Sequence, residues 1–238
     1  MTATVIIPIT GSPMCEQAID SVLKQTVQTK CYVVVDGEQY YDKSKRIVDK
    51  FADNPFLKVA YLPTNVGAKG FYGHRVYAAF THLLDSDYVL YLDQDNFLEP
   101  NHVETCVKTI EKYNLDWSYS LRNIYDENGE FLIRDDCESL GKYQAWTNVN
   151  HIDTNCYCIK TDVAIKIAQV WHGGWGQDRV WLQALSQHFQ RFECTGNYTV
   201  NYRVNGNPGS VTKEFFNHGN KIMSDKYNGN FPWNKTEL

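Results

Sequence analysis

Residues 88–97 read YVLYLDQDNF, a run of apolar and aromatic residues that leads directly into the carboxylates of Asp93 and Asp95. An unbroken apolar run of this kind is typical of a strand buried on both faces of a parallel sheet. Open parallel sheets bind ligands beyond the carboxyl ends of their strands. The stretch therefore predicts a buried strand with a candidate binding site at its end.

The residues upstream alternate between similar strands and helices. Further apolar runs read as strands at residues 5–9, 31–35 and 58–62. Helical patterns separate them, the first opening at Ser12-Pro13, the second over 43–51 and the third over 71–84. This alternation indicates an α/β fold with a central, mostly parallel sheet flanked by helices. Asp36, which ends the second strand, is then expected at the same edge of the sheet as Asp93.

The second half of the chain departs from this alternation. Residues 122–134 predict a short antiparallel hairpin that turns at Asn128-Gly129. A strand over 155–159 and a helix over 162–171 follow, and residues 201–212 read as a loop-rich tail. No linker rich in Pro, Gly or Ser divides the 238 residues, so we expect a single domain.

Composition excludes several functional classes. The 23 basic and 28 acidic residues give a formal charge of −5 without a cationic block, so we expect no nucleic-acid partner. Seven cysteines without a CxxC pair favour reduced structural thiols and hence a cytoplasmic location. The N-terminal residues do not resemble a signal peptide, and no apolar run is long enough to cross a bilayer. We therefore expect no integral membrane segment.

The spacing of Asp93 and Asp95 allows two interpretations. If the chain stays extended, both side chains point to one side, and their oxygens are ligands that Mg²⁺ or Mn²⁺ prefers. Carboxylates after a strand also commonly cap a helix or bind loop amides. An EF-hand is excluded because Phe97 and Leu98 stand where that loop needs a ligand and a glycine. A phosphatase of the haloacid dehalogenase type carries its DxD on the first strand, whereas here it follows the fourth.

An ordered set of segments resembles the glycosyltransferases of the GT-A fold, similar to the inverting family-two enzymes. The matching segments are VIIPITGSPMCEQAIDSVLKQT (5–26), VVVDGEQ (33–39), NVGAKGFYGHRVYAA (65–79), YLDQDNFLEP (91–100) and GWGQDRVWLQAL (174–185). The resemblance implies transfer of a sugar from a nucleotide-diphosphate donor, most simply a UDP-sugar, to a hydroxyl of a glycan or glycoconjugate acceptor. It also implies one catalytic domain over 1–238, with a nucleotide-binding half at about 1–100 and an acceptor-binding half at about 101–238.

The resemblance assigns roles on the donor side. Pro8 and Thr10 match the loop that borders the nucleotide, and Asp36 matches the carboxylate that hydrogen-bonds the base. From the residues alone, Asp36 is equally a turn residue before Gly37.

A second loop and the DxD motif complete the implied donor site. Asn65, Gly67 and Lys69 match the family's glycine-containing loop, where Lys69 or Arg75 would contact phosphate; the other interpretation of both cations is a solvated surface charge. Asp95 matches the ligand of a divalent cation, Mn²⁺ or Mg²⁺, and Asp93 matches a contact to ribose or to the cation. Gln94 between them is assigned to the donor.

The implied acceptor side depends on Asp178. It matches the second acid of the family's Glu-Asp pair, with Gln177 in the first position, and would take the proton of the acceptor hydroxyl. An Asp at a helix start is also an ordinary N-cap. Less specific candidates are His218 as a further metal ligand, Trp146, Trp171 and Trp175 as sugar-stacking rings, and Arg203, Ser210 and Lys213 as lid contacts. The other interpretations are an ordinary surface histidine, aromatic rings of the core and an ordinary surface loop.

Three functional hypotheses follow from these residues. The first is a metal-dependent inverting glycosyltransferase, and the second is a nucleotide-sugar binding module without catalysis. The third is a phosphotransferase or nucleotidyltransferase, although no P-loop glycine signature favours it.

Overall fold

The computed structural model describes residues 1–204 and 211–234. These residues form one sheet from strands β1 (Ala3–Ile9), β2 (Thr29–Asp36), β3 (Leu57–Leu62), β4 (Tyr88–Tyr91), β5 (Phe97–Leu98), β6 (Trp117–Tyr125), β7 (Phe131–Arg134), β8 (Tyr157–Lys160) and β9 (Phe192–Arg203). The helices are α1 (Cys15–Leu23), α2 (Tyr41–Val48), α3 (His74–Thr81), α4 (His102–Tyr113), α5 (Thr161–Ile167), α6 (Gln177–His188) and α7 (Lys213–Tyr227).

The first half of the sheet is parallel, as the apolar runs predict. Its strand order is β3-β2-β1-β4, and every pairing within it is parallel. All residues of β1 and β4 are buried, whereas the edge strand β3 is only partly buried. Because the strands run in the same direction, the residues that follow β1, β2 and β4 meet at one edge.

The second half mixes strand directions. β8 lies antiparallel between β4 and β6, and β6 pairs in parallel with β9. The predicted hairpin is confirmed as β6 and β7, with Gly129 in its turn at φ +84°. β9 extends to Arg203, so residues 201–203 of the predicted loop-rich tail belong to a strand, and residues 205–210 of that prediction lie outside the described residues. Helix α1 packs on β1 and β2, and α4 packs on β6 and β9, which confirms the α/β fold class.

Two helices differ from the sequence prediction for identifiable reasons. Helix α3 begins at His74 rather than at residue 71, because Tyr72 adopts a left-handed φ of +51° and the C=O of Gly67 accepts the Tyr72 N–H at 2.9 Å. The predicted helix over 162–171 ends as α5 at Ile167 and continues as a 3-10 turn, Ala168–Trp171, which places Trp171 in the core.

The described residues include every cysteine and all the helices given above. All seven cysteines are buried free thiols, which agrees with the expectation of reduced thiols. Within residues 1–204 and 211–234, no helix has both the length and the apolar character that a bilayer span needs.

Candidate active site

The loop after β1 is joined directly to the DxD segment. The N–H of Thr10 donates to Oε1 of Gln94 at 2.8 Å, and Nε2 of Gln94 donates to Oγ1 of Thr10 at 2.9 Å. The thiol of Cys15, at the start of α1, also donates to Oε1 of Gln94 at 3.2 Å. The structure thus brings together Thr10 and Gln94, which the sequence had placed at the donor. Pro8 lies within β1 and is buried, so its predicted role at the nucleotide stays a prediction.

Asp36 fastens the glycine-containing loop. Its two carboxylate oxygens accept the N–H of Val66 at 2.7 Å and the N–H of Gly67 at 2.8 Å. The residue is only 3% exposed. Because both oxygens already accept backbone bonds, the structure gives Asp36 a role in shaping this loop, and its predicted contact to the base stays a prediction.

Gly67 allows the loop to approach so closely. A Cβ atom at this position would lie 2.1 Å from the carbonyl oxygen of Tyr72 and 2.8 Å from Oδ2 of Asp36. No side chain can replace the hydrogen without moving backbone. Nearby, Nδ2 of Asn65 donates to the hydroxyl of Tyr40 at 3.4 Å, and Lys69 is exposed with a left-handed φ of +62°.

Arg75 lies beside the same loop, packed on an aromatic ring. Its guanidinium carbon lies 3.3 Å from the centre of the Phe71 ring, and Nη1 donates to the C=O of Val66 at 3.5 Å. Nε of Arg75 is buried without a hydrogen-bond partner. The side chain therefore keeps donor capacity next to the loop that the resemblance assigns to phosphate.

Asp93 is held from two sides at the end of β4. Its Oδ1 accepts the hydroxyl of Tyr77 at 2.8 Å, and its Oδ2 accepts Nδ2 of Asn155 at 3.1 Å. Burial, together with the charges of Asp95 and Asp153, raises the pKa of Asp93 to about 7. Burial and these neighbouring carboxylates disfavour a negative charge on Asp93, and a cation bound nearby would favour it.

Asp95 is positioned through its backbone. Its carbonyl oxygen accepts Nη1 of Arg203 at 2.5 Å, and Oδ1 of the next residue, Asn96, accepts the N–H of Arg203 at 2.9 Å. Nη2 of Arg203 also donates to Gln17 on α1. Arg203 is 7% exposed at the end of β9, so its predicted role as a lid contact is wrong. Of the other two lid candidates, Ser210 lies outside the described residues, and Lys213 is exposed at the start of α7.

The residues present suit a cation that shares its ligands with a diphosphate. Among the described residues, no group of three or more His, Cys, Asp and Glu side chains is arranged to hold a metal by itself. Mg²⁺ in nucleotide sites is commonly held by one or two carboxylates together with substrate phosphates, and Asp95 and Asp93 provide such a pair. His218 is an exposed residue whose ring packs edge-on against Trp146 at 5.3 Å, a position that does not associate it with either aspartate.

Asp178 lies in the first turn of α6 beside a buried histidine. Its Oδ1 accepts the N–H of Arg179 at 2.8 Å, and its Oδ2 lies 3.3 Å from Nδ1 of His151. The Asp178 side chain is 24% exposed, against 9% for His151. The carboxylate is therefore partly accessible to an acceptor and backed by a buried imidazole.

The turn that precedes Asp178 packs against the glycine-containing loop. Nδ1 of His74, the first residue of α3, lies 3.1 Å from the carbonyl oxygen of Gly173. A Cβ atom at Gly174 would lie 3.0 Å from the carbonyl oxygen of Gly70. Burial lowers the pKa of His74, and the nearby charge of Asp178 partly opposes this shift. These contacts bring the candidate base to the donor edge of the sheet.

The three tryptophans singled out in the sequence have different environments. Trp171 is fully buried and stacks on Trp181, with ring centres 4.5 Å apart, so it is a core residue and its predicted role at the acceptor is wrong. Trp146 packs against Phe215 of α7. Trp175 is 78% exposed, three residues before Asp178, with the guanidinium of Arg179 5.5 Å from its ring centre. Of the three rings, that of Trp175 is the most exposed, and its role at the acceptor stays a prediction.

Sequence reasoning missed several residues of this site. Tyr77 and Asn155 contact Asp93, and His151 contacts Asp178. Asn155 and His151 lie outside the matching segments, and Tyr77 lies within the segment 65–79 but was given no role there. Tyr77 reads as an ordinary core residue of a helix. Asp153 two positions before Asn155 signals a capped turn, but the contact with Asp93 spans 62 positions of the chain.

Comparison with known proteins gives one family and one fold. The family described as glycosyl transferase family 2 matches residues 4–164. An uncharacterized protein of Haemophilus influenzae is 34% identical over 80 residues, which cover 34% of this chain and 53% of that protein. The chain thus matches about half the length of this curated relative.

Solved structures of S. aureus TarS 1-349 superpose over nearly the whole chain. The complex with UDP-GlcNAc has a TM-score of 0.66 at 17% identity and covers 95% of this chain and 66% of that one. The complex with UDP has a TM-score of 0.65 at 17% identity, with 95% and 65% covered. At this level of identity the likeness concerns the fold, and it confirms the predicted GT-A architecture.

Proposed function

The chain belongs to glycosyl transferase family 2, and on that premise we propose that it is a metal-dependent inverting glycosyltransferase. It moves a sugar from a nucleotide-diphosphate donor to a hydroxyl of a glycan or glycoconjugate. The domain assignment follows this proposal: a single catalytic domain over 1–238, with the donor bound by the half at about 1–100 and the acceptor by the half at about 101–238. The seven buried free thiols support a cytoplasmic location.

One observation carries the proposal: direct contacts join every part of the site to one edge of the sheet. Asp36 binds the backbone of Gly67, and Gln94 of the DxD segment binds Thr10. The turn before Asp178 contacts His74, the first residue of the helix that follows the glycine-containing loop. A transfer reaction needs donor, leaving group and base within reach of one another, and these contacts support that arrangement.

The donor is a UDP-sugar. The support comes from the fold, which the chain shares with a protein whose structures are described as complexes with UDP and UDP-GlcNAc. In this chain, Thr10, Asn65 and Lys69 would border the nucleotide, with Pro8, Asp36 and Gly67 shaping the loops on which they stand.

Asp95 and Asp93 would hold Mn²⁺ or Mg²⁺. When bound, the cation neutralises the charge that develops on the departing nucleoside diphosphate. The protein supplies the geometry: Arg203 fixes the backbone of Asp95, and Tyr77 together with Asn155 fixes the carboxylate of Asp93.

Asp178 acts as the base. The acceptor O–H bond breaks and its proton passes to the Asp178 carboxylate, while the oxygen forms a bond to the anomeric carbon and the bond to the diphosphate breaks. Attack from the face opposite the diphosphate inverts the anomeric centre. Trp175, exposed three residues earlier, offers a flat ring to the C–H face of the acceptor.

Product analysis tests the proposal against its alternatives. The purified chain is incubated with Mn²⁺, a panel of UDP-sugars and a panel of glycan acceptors, and glycosylated acceptor, released UDP, inorganic phosphate and pyrophosphate are quantified separately. UDP release that disappears in Asp178→Asn supports the transferase. UDP binding without turnover in any variant indicates a binding module, and release of phosphate or pyrophosphate indicates a phosphotransferase or nucleotidyltransferase.

A further inference from the structure

Asn155 binds Asp93 twice. Its Oδ1 accepts the backbone N–H of Asp93 at 2.6 Å, and its Nδ2 donates to the carboxylate Oδ2 of Asp93 at 3.1 Å. Asn155 is fully buried in the 3-10 turn that precedes β8. One amide therefore fixes both the backbone and the side chain of the first aspartate of the DxD motif.

Asp153 fixes the orientation of this amide. Its Oδ1 accepts the backbone N–H of Asn155 at 3.0 Å and Nδ2 of Asn155 at 2.6 Å. Both hydrogens of the Asn155 amide are then used, one toward Asp153 and one toward Asp93. Rotating the amide by half a turn would point its oxygen at two carboxylates, so the observed orientation is the stable one.

A buried arginine holds Asp153 in turn. Arg122 on β6 is 1% exposed, and its Nη1 donates to Oδ2 of Asp153 at 2.7 Å. The same guanidinium binds Oδ2 of Asp135 at 2.7 Å and the carboxylate of Glu138. The desolvation of these buried charges offsets much of their mutual attraction, so the main consequence of the cluster is that it holds Asp153 in place.

We propose that Asn155 is a positioning residue that sets the Asp93 carboxylate for the donor and its cation, with Arg122 and Asp153 anchoring it. The inference rests on the proposed function, because it takes Asp93 to lie in the donor site. Tyr77 holds Oδ1 of Asp93 and Asn155 holds Oδ2, so the carboxylate plane cannot rotate while each oxygen keeps acceptor capacity for a ligand. Partners of this kind typically contribute ten- to hundredfold to metal affinity.

Calorimetric titration with UDP in the presence of Mn²⁺ tests the proposal. Asn155→Asp keeps the size of the side chain and an acceptor for the Asp93 N–H, but replaces the donor to Oδ2 with a further carboxylate. Asn155→Ala removes both bonds. We expect each variant to weaken UDP binding by about ten- to hundredfold. The control is Asn123→Ala, which removes a buried amide bound to Tyr198 and Asn201 rather than to the donor site; it should lower the melting temperature without changing UDP binding.

A double-mutant comparison separates positioning from general destabilisation. If Asn155 acts through Asp93, Asn155→Ala should weaken UDP binding much less in an Asp93→Asn background that retains measurable affinity than it does in the wild type. Suppose that Asp93→Ala abolishes UDP binding but Asn155→Asp binds UDP as tightly as the wild type or more tightly. That result overturns this inference and leaves the proposed function intact. UDP binding that survives Asp93→Ala overturns the donor-site assignment and this inference together.

Discussion

Nδ1 of His151 lies 3.3 Å from Oδ2 of Asp178. The backbone of His151 is held as well, because its carbonyl oxygen accepts the N–H of Gly141 at 2.9 Å. An ordinary acid in a first helical turn looks different. Asp162, in the first turn of α5, is exposed and lies 3.7 Å from Nζ of Lys166 on its own helix. A buried partner from another segment supports a role for Asp178 beyond helix capping.

Removing the proposed base should slow the transfer step without weakening UDP binding. We expect Asp178→Asn to lower kcat by about 10²–10⁴-fold, the usual contribution of a general base, with UDP affinity unchanged. The matched control is Asp162→Asn, which removes a first-turn acid from α5 and should leave kcat unchanged. A kcat for Asp178→Asn within a factor of a few of wild type would remove Asp178 from the mechanism.

His151 should act through Asp178. We expect His151→Ala to lower kcat with unchanged UDP affinity, because the carboxylate loses the buried imidazole that lies 3.3 Å from its Oδ2. In an Asp178→Asn background the same change should have no additional effect on kcat. Equal losses in both backgrounds would show that His151 only supports the fold.

The crowding at Gly67 predicts a selective defect. Gly67→Ala would force its Cβ into the Tyr72 carbonyl, so we expect about 1–3 kcal/mol of destabilisation and weakened UDP binding. Gly70→Ala in the same loop meets no atom within 4 Å, although its φ of +83° disfavours a side chain. We expect it to cost about 1–2 kcal/mol and to keep UDP binding. Chemical denaturation and calorimetry measure both effects, and equal UDP binding by the two variants would refute the role of Gly67.

Buried His102 should make stability depend on pH. Burial lowers the pKa of His102 to about 3, and its Nδ1 lies 2.8 Å from the hydroxyl of Thr199. In the unfolded chain His102 binds a proton as pH falls through its ordinary pKa of 6.5, whereas in the folded chain it stays neutral. Protonation therefore favours the unfolded chain, and stability is lost as pH falls below 6.5. Between pH 7 and pH 5 the loss from this group is about 2 kcal/mol.

His102→Gln isolates that contribution because glutamine does not titrate. The free energy of unfolding, measured by denaturant titration at both pH values, should decrease less on acidification in the variant than in the wild type. Identical pH dependence in the two proteins would mean that His102 binds a proton as readily in the folded chain as in the unfolded chain.

Much of the donor edge follows from local sequence. The apolar runs before Asp36 and Asp93 require burial on both faces, and parallel pairing then places the two residues at one edge. The contacts that hold the acids at this edge join residues far apart in the sequence. Arg203 is 108 positions from Asp95, and Asn155 is 62 positions from Asp93, so these pairs depend on how the second half of the sheet returns across the first.

The second half was harder to read because its elements lack simple periodicity. β9 contains a left-handed glycine, Gly196, and its burial does not alternate regularly along the chain, so its sequence does not predict the strand that pairs along β6. Trp171 ends the predicted helix over 162–171, where the sequence allows either an acceptor-site ring or a core ring, and the structure buries it between the rings of His74 and Trp181. Both outcomes were decided by tertiary packing rather than by local propensity.

UDP binding with and without Mn²⁺ tests the central claim most directly. Calorimetry would compare the wild type, Asp95→Ala and the control Asp85→Ala. Asp85 is an exposed acid that pairs with Lys30 and precedes β4, at the end of the strand opposite to Asp95. The proposed site predicts that wild type and Asp85→Ala bind UDP tightly only with Mn²⁺, and that Asp95→Ala does not bind it tightly in either condition. UDP binding that is unchanged by Mn²⁺ and by Asp95→Ala, or absent throughout, would contradict a cation-assisted donor site.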